Sequence, residues 1–204
     1  MGLRTFYHRG PRVFGNDTFF QAIKVYNHVV GGLMEYPKAR VFLSGYSRGG
    51  AAVIAAAQWM KRTGYAVDAL FLFDAVDRAL PVNGYTVSSN VKQVYHARRD
   101  PAAQSRQSFG NCGWARENSS KTGYEQRFFF CTHGAIGGMP WNSDSVPKDG
   151  QFIDEGLPDG LTAVTPQNDK AGADLVWTWM LSKVRREYAR ARPVPMSLLG
   201  RSPL

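Results

Sequence analysis

One serine in this sequence has the surroundings that nucleophilic chemistry requires. Gly45, Ser47 and Gly49 form a G-x-S-x-G pattern, with an apolar stretch at residues 41–43 before it and an alanine-rich stretch after it. A serine on a sharp turn from strand to helix projects its hydroxyl above the sheet, where the hydroxyl can attack a carbonyl carbon. The backbone N–H of Arg48, at the start of the predicted helix, would then point toward the developing oxyanion.

The same turn has a second interpretation. A glycine-rich turn can simply begin a helix, or it can hold a phosphate group at the helix N-terminus. Neither a G-x-G-x-x-G pattern nor the lysine of a P-loop accompanies it in this sequence. We therefore favour a nucleophile at Ser47 and keep an anion-binding turn as the alternative.

A serine nucleophile needs a histidine base, and the chain offers four histidines. His8 and His96 fall in predicted strands and His28 in a predicted helix, so we expect all three to be packed or surface side chains. His133 follows a predicted strand at residues 126–131. Parallel sheets place their sites at the carboxyl ends of strands, so His133 is the predicted base.

Two aspartates qualify as the acid that orients this histidine. Asp74 ends the predicted strand at residues 66–73, and Asp100 follows the next one at residues 91–97. Both stand between the serine and the histidine in the chain, as the order serine, acid, histidine requires. The residues alone leave Asp74 and Asp100 as alternatives.

The elements that must position these residues alternate between strands and helices. This alternation predicts an α/β fold, a three-layer α/β/α sandwich around a mostly parallel sheet. Predicted strands cover residues 4–8, 41–43, 66–73, 91–97 and 126–131, and predicted helices cover 18–36, 51–62 and 170–191. Residues 134–168 are too long for a connector and predict a wall or lid, in which Trp141, Phe152 and Leu157 line an acyl pocket or form a small core.

Length and composition favour a single globular domain. The chain has 204 residues, 44% of them hydrophobic, and no apolar run of the length that crosses a membrane. We assign residues 1–192 to one α/β domain and residues 193–204 to a proline-containing basic tail. With neither a signal peptide nor a transmembrane segment, we expect a cytoplasmic protein, or one delivered by a secretion system that needs no signal peptide. Cys112 and Cys131 predict buried thiols, although a single bridge between them is the alternative.

The net charge of +9 favours anionic partners, and the excess is concentrated near the end of the chain. One interpretation is that this excess lies on the solvated face of the predicted helix at residues 170–191. The other is that this helix makes peripheral contact with an anionic membrane. No nucleic-acid-binding motif accompanies the charge, so we expect no specific nucleic-acid partner. The basic residues concerned are Lys183, Arg185, Arg186, Arg190, Arg192 and Arg201.

The ordered motifs of the chain resemble an α/β-hydrolase family that includes the phospholipase effectors of type VI secretion systems. The nucleophile motif of that family is G-F-S-R-G-A, and the arginine after the serine is its distinctive part. The other matches are D-x-V after a strand, a strand that ends near H-A, H-x-x-I/V-G-G, and W-M in the last helix. In this chain the motifs read Phe6 to Gly10, Gly45 to Gly50, Asp74 to Val76, Tyr95 to Ala97, Phe129 to Gly138, and Trp179 with Met180.

The resemblance implies a reduced α/β-hydrolase fold with a definite set of site residues. Ser47 would be the nucleophile, Asp74 the acid and His133 the base, and Gly10 would lie near the oxyanion hole with Arg48. Lipases with a G-H-S-L-G-G motif would instead place the acid at Asp100. The implied activity is hydrolysis of a carboxylic ester, of lipid or phospholipid type, without cofactor or metal.

The sequence therefore predicts a serine esterase or lipase that acts on an ester or lipid substrate. The alternative is a catalytically silent or anion-binding α/β interaction module that shares the fold. The sequence leaves the oligomeric state open.

Overall fold

The four main strands form one parallel sheet. The structure, a computed structural model, describes residues 5–10, 17–77, 83–141, 152–153 and 161–191. The sheet has the strand order β1-β2-β4-β6, and every pair in it is parallel. The predicted α/β fold with a mostly parallel sheet is thereby confirmed. The strands of this sheet are β1 (Phe42–Tyr46), β2 (Val67–Phe73), β4 (Val91–Arg99) and β6 (Gly123–Phe129).

Two pairs of very short strands lie outside this sheet. β3 (Thr86–Val87) pairs with β5 (Ala115–Arg116) in parallel, and β7 (Phe152–Ile153) pairs with β8 (Leu161–Thr162) in antiparallel fashion. The helices are α1 (Thr18–Glu35), α2 (Arg48–Arg62), α3 (His133–Ile136) and α4 (Pro166–Ala191).

Helices pack on two faces of the sheet because the run from Ala69 to Phe73 in β2 presents apolar side chains to both faces. Leu70 and Leu72 belong to a core cluster that includes residues of α1 and α2. Ala69 and Phe71 belong to a second cluster that includes residues of α3 and α4. Successive side chains of a strand point to opposite faces, so the two clusters lie on opposite sides of the sheet.

The register brings the carboxyl ends of the four strands together. Tyr46 of β1 aligns with Phe73 of β2, and Phe73 aligns with Ala97 of β4. Arg99, the last residue of β4, aligns with Phe129, the last residue of β6. Residues that follow these strands therefore meet at one edge of the sheet.

Several predicted boundaries differ from the observed ones. The strand predicted for residues 4–8 is wrong in its described part, because residues 5–8 form no strand and Phe6 and His8 stack on His28 of α1. β6 ends at Phe129, two residues earlier than predicted, and α4 begins at Pro166. The tail at residues 193–204 lies outside the described residues, as does most of the predicted lid.

The two cysteines are free and buried, so the prediction of buried thiols is confirmed. Burial raises the pKa of both thiols, which makes them poor nucleophiles. In the part of the chain that the structure describes, no helix is both long and apolar enough to cross a membrane.

Candidate active site

Ser47 is the single residue between β1 and α2, and its backbone is strained. Its φ of +53° is unusual for a residue other than glycine, and such strain is common at functional sites. Its N–H donates to the Phe73 carbonyl at 3.0 Å, and its carbonyl accepts from Gly50 and Val76. The turn is therefore tied to the end of β2 and holds the serine in this conformation.

Close approach of strand, helix and turn requires glycine at two positions. A Cβ on Gly45 would meet the Gly49 carbonyl, and a Cβ on Gly50 would meet the Ala75 side chain. A Cβ on Gly49 would meet nothing within 4 Å. The glycine that α2 needs for close packing is thus Gly50, whereas the sequence pattern points to Gly49.

Three of the predicted site residues form one continuous hydrogen-bonded series. His133 Nε2 lies 2.9 Å from the Ser47 hydroxyl oxygen, and His133 Nδ1 lies 2.7 Å from the Asp74 carboxylate. In the tautomer with the proton on Nδ1, the imidazole donates to Asp74 and accepts from Ser47. The histidine is 6% exposed and the aspartate is fully buried, whereas the serine is only half-buried. This arrangement lets the imidazole take the proton from a hydroxyl that a ligand can reach.

Asp74 stays ionised because donors surround it. Burial alone would raise the pKa of its carboxyl, but the hydrogen bond from His133 and the charge of Arg99 together hold that pKa well below its ordinary value. One carboxylate oxygen accepts from the Asn111 side chain at 2.7 Å and from the Arg99 N–H at 3.3 Å. The other oxygen accepts from both His133 and the Arg99 guanidinium. Asp74 itself has a φ of +44°.

Aromatic rings hold the imidazole in place on two sides. The ring of Tyr46 lies 4.9 Å from that of His133, centre to centre, and the Phe109 ring meets it edge-on at 5.4 Å. The backbone N–H of His133 also donates to the Ser105 hydroxyl at 2.8 Å. The orientation of the imidazole is therefore set by packing as well as by Asp74.

The short helix α3 that carries His133 is anchored to α4. Asp169 of α4 is buried and accepts from the Thr132 N–H at 2.6 Å and from the Thr132 hydroxyl at 3.0 Å. The Trp141 N–H also donates to the Asp169 carboxylate, at 2.9 Å. The sequence analysis missed Asp169, whose only distinguishing feature in the sequence is its position near the start of a predicted helix.

The structure does not bring Asp100 to the imidazole. Its carboxylate accepts from the Ala102 N–H at 2.9 Å and begins the short turn Pro101–Ala103. Of the two aspartates that the residues left open, Asp74 is the one that contacts His133.

The predicted oxyanion donors differ in how the structure places them. Arg48 is the first residue of α2, directly after the serine, where backbone N–H groups have no partner within the helix. Gly10 is exposed, and a Cβ built on it would meet nothing within 4 Å. No contact therefore brings Gly10 to Ser47 in the described residues, and its role in an oxyanion hole remains a prediction.

The other three histidines are packed or surface side chains, as the sequence predicts. His96 is fully buried, accepts from the Ala75 N–H at 3.2 Å and lies 3.1 Å from the Tyr124 hydroxyl. Burial lowers the pKa of His96 to about 3, against the opposing effect of Asp74. His8 stacks on His28 of α1, with a ring-nitrogen distance of 2.8 Å.

An open depression of about 600 Å³ lies beside the loop that follows His133. Gly137 packs directly on the Tyr46 ring, and the depression begins at the next residue, Gly138. Its walls include Trp141, one of the predicted pocket residues, and Trp177 of α4, and the role of an acyl pocket remains a prediction. Of the other predicted pocket residues, the Phe152 side chain and Leu157 lie outside the described part of the structure.

The basic face of α4 is largely paired within the protein. Lys183 and Arg186 both bind Glu125, and Arg190 binds Glu187. This pairing favours the interpretation of a solvated helix face, and contact with an anionic membrane remains a prediction. In the described residues, no group of three or more His, Cys, Asp or Glu side chains is placed to hold a metal ion.

Comparisons with protein-family models, with curated proteins and with solved structures found no match to this chain. The resemblance to the hydrolase family therefore remains a hypothesis, and the functional argument rests on the geometry around Ser47.

Proposed function

We propose that this protein is a serine hydrolase that cleaves carboxylic esters through a Ser47–His133–Asp74 triad. The observation that carries the proposal is the continuous series of hydrogen bonds from the Ser47 hydroxyl through the imidazole to the buried Asp74 carboxylate. The strained backbone of Ser47, at the sharp turn between β1 and α2, supports the same role.

In the proposed first step, Ser47 attacks the ester carbonyl carbon. His133 Nε2 takes the hydroxyl proton as the new C–O bond forms, and Asp74 stabilises the resulting imidazolium through Nδ1. The carbonyl oxygen becomes an oxyanion, for which the Arg48 N–H is the candidate donor. One such donor is typically worth about 3 kcal/mol of the barrier.

Collapse of this intermediate expels the alcohol, which receives the proton from His133. Water then enters, gives a proton to the same imidazole and attacks the acyl-enzyme carbonyl. The acid product leaves and Ser47 recovers its proton. The low pKa of Asp74 supports this cycle because the carboxylate stays charged whenever the imidazole must be oriented.

We further propose that the acyl group of the substrate is apolar, as in a lipid or phospholipid. The depression that begins at Gly138 has tryptophan, proline and alanine among its walls, with Gln167, Lys170 and Asp174 beside them, and its volume is large enough for a hydrocarbon chain. Gly138 in its wall follows Gly137, which packs on the Tyr46 ring, and that ring contacts the His133 imidazole, so we propose that an acyl chain on Ser47 extends toward the depression.

The experiment that tests the proposal combines a fluorophosphonate probe with p-nitrophenyl esters of increasing acyl length. We expect the intact protein to be labelled and to hydrolyse the esters, and the Ser47→Ala variant to do neither. Ser44→Ala is the matched control, because Ser44 is an exposed serine of β1 only three residues away and should not matter.

A folded protein that is not labelled would contradict the proposal. If it then bound inorganic phosphate, and the binding did not depend on His133, the anion-binding module would be the better interpretation of the turn at Ser47. Labelling that survives Ser47→Ala would show that another residue reacts.

A further inference from the structure

Arg99 is a buried arginine that contacts the site and that the proposed mechanism does not use. It is the last residue of β4 and its side chain is 7% exposed. A buried arginine is costly unless its charge is paired and its N–H groups have acceptors. Here its guanidinium donates to the Asp74 carboxylate, to the Arg106 carbonyl at 2.8 Å and to the Phe109 carbonyl at 2.6 Å.

We propose that Arg99 is a positioning residue, which fixes Asp74 and the loop around Phe109 against His133. The proposal rests on the proposed function of the Ser47 site. Its first support is that one carboxylate oxygen of Asp74 accepts from both Arg99 and His133. The guanidinium therefore determines where the oxygen that orients the imidazole lies.

The second support is the loop that Arg99 holds. Gln104 and Arg106 both have positive φ values, +51° and +46°, in a stretch of three residues. Such strain persists only where the surroundings hold it in place. The Arg99 guanidinium provides that hold, because it binds the carbonyl of Arg106, the last residue of this stretch, and the carbonyl of Phe109 shortly after it. The Phe109 ring rests edge-on against the imidazole, so Arg99 acts on His133 from two directions.

Electrostatics argue for positioning rather than for charge stabilisation. The guanidinium nitrogen lies 3.5 Å from His133 Nδ1, and both groups would be positive once the imidazole has taken a proton. Arg99 therefore opposes the imidazolium charge while it fixes the carboxylate that stabilises it. Its net benefit must come from geometry, and a misplacement of about 1 Å in such a site can cost about 100-fold in rate.

The test measures the rate at which a fluorophosphonate labels Ser47 in Arg99→Met and Arg99→Lys, each under conditions where near-ultraviolet circular dichroism reports a folded protein. We expect labelling to slow by about 10- to 100-fold in Arg99→Met. Arg99→Lys should fall in between, because lysine keeps the charge but cannot span three acceptors. Arg116→Met is the control: Arg116 also binds a backbone carbonyl, that of Thr122, but away from the site.

A double-mutant cycle separates positioning from a general loss of structure. If Arg99 acts through Asp74, Arg99→Met should slow labelling much less in an Asp74→Asn background than in the unmodified protein. Equal losses in both backgrounds would overturn the proposal, as would wild-type or faster labelling in Arg99→Met.

A spectroscopic measurement keeps the test independent of activity. The proton shared by His133 Nδ1 and Asp74 should give a low-field proton resonance, which Arg99→Met should shift or broaden and Arg116→Met should leave alone. An unlabelled but folded wild-type protein would contradict the proposed function. An unchanged resonance in Arg99→Met would contradict the role of Arg99 alone.

Discussion

The two ends of strand β2 each carry a buried aspartate, and the two aspartates have different partners. At the amino end, Asp68 accepts from the Val41 N–H and from Lys92, both at 2.8 Å, and pairs with Arg40. At the carboxyl end, Asp74 binds Arg99 and the imidazole of His133. Both charges are balanced, but only Asp74 has a partner that can exchange a proton with a hydroxyl.

The backbone makes the same distinction. Asp74 has a positive φ, and the neighbouring Ser47 shares that strain, whereas Asp68 lies within the regular part of β2. Charge pairing at the amino end serves to fasten β2 to its neighbours. At the carboxyl end, similar pairing is combined with strain and a reachable hydroxyl, which is the combination expected of a reactive site.

The test with the largest expected effect replaces each aspartate with asparagine. We expect Asp74→Asn to slow labelling of Ser47 and ester hydrolysis by about 10,000-fold, because the amide no longer fixes the imidazole tautomer. Asp68→Asn should leave both rates within about twofold and lower the free energy of unfolding by about 1–3 kcal/mol. Probe kinetics and urea unfolding measure the two effects. Similar rate losses in both variants would remove the distinction between the ends.

A second test concerns how closely α2 approaches the carboxyl end of β2. Gly50→Ala places a Cβ against Ala75, next to Asp74, and we expect it to lower the free energy of unfolding by about 1–3 kcal/mol and to reduce labelling. Gly49→Ala meets open space and should be neutral or slightly stabilising. If Gly49→Ala proved the more harmful, the sequence motif rather than the packing would describe this turn correctly.

Both aspartates should make the fold sensitive to acid. The pKa of each is lower in the folded protein than its ordinary value of 3.8: burial opposes the shift, but His133 and Arg99 lower it at Asp74, and Lys92 lowers it at Asp68. Such groups stabilise the fold above the unfolded pKa, and this contribution is lost as pH falls. We expect the free energy of unfolding to decline below about pH 4.

The same acid titration measures how much each aspartate contributes to the acid sensitivity. Unfolding in urea at a series of acidic pH values should show a shallower decline for Asp74→Asn and for Asp68→Asn than for the unmodified protein. A decline of unchanged slope in either variant would mean that its aspartate does not contribute to the acid sensitivity.

The smallest expected effect concerns the depression that begins at Gly138. Trp177→Ala should reduce hydrolysis of long-chain esters by about fivefold and leave short-chain esters unaffected, because only the long chains reach its apolar wall. Leu175→Ala is the matched control: Leu175 lies on the same helix and is 52% exposed, against 66% for Trp177, but does not line the depression. Equal effects of the two variants would argue against an acyl site there.

The sequence predicted the elements whose patterns are local. The apolar run of β2 was recognisable because it is continuous and buried almost throughout, and α2 was recognisable because it is rich in alanine, a strong helix former. The end of β6 was misplaced because three consecutive phenylalanines suggested a core strand. Phe128 and Phe130 are in fact 42% and 40% exposed, and only Phe129 between them is buried.

The candidate site was predicted where residue type and strand ends sufficed. Ser47 and His133 could be selected from their motifs, but Asp74 and Asp100 both follow strands and could not be separated by position. Local backbone conformation decides between them, since Asp74 turns toward the imidazole and Asp100 caps a turn. Arg99 was missed because arginine is seldom buried, and its acceptors come from a distant loop.

The register of the sheet also has a consequence for folding kinetics. Ser47, Asp74, Arg99 and His133 each follow or end a different strand, and Ser47 and His133 are 86 residues apart in the chain. Parallel pairing closes long loops before it gains contacts, so it is slow compared with helix formation. After dilution from denaturant, the helical circular dichroism signal should therefore return before Ser47 becomes reactive toward the probe. The delay between the two signals would time the docking of β6, the strand that delivers the imidazole.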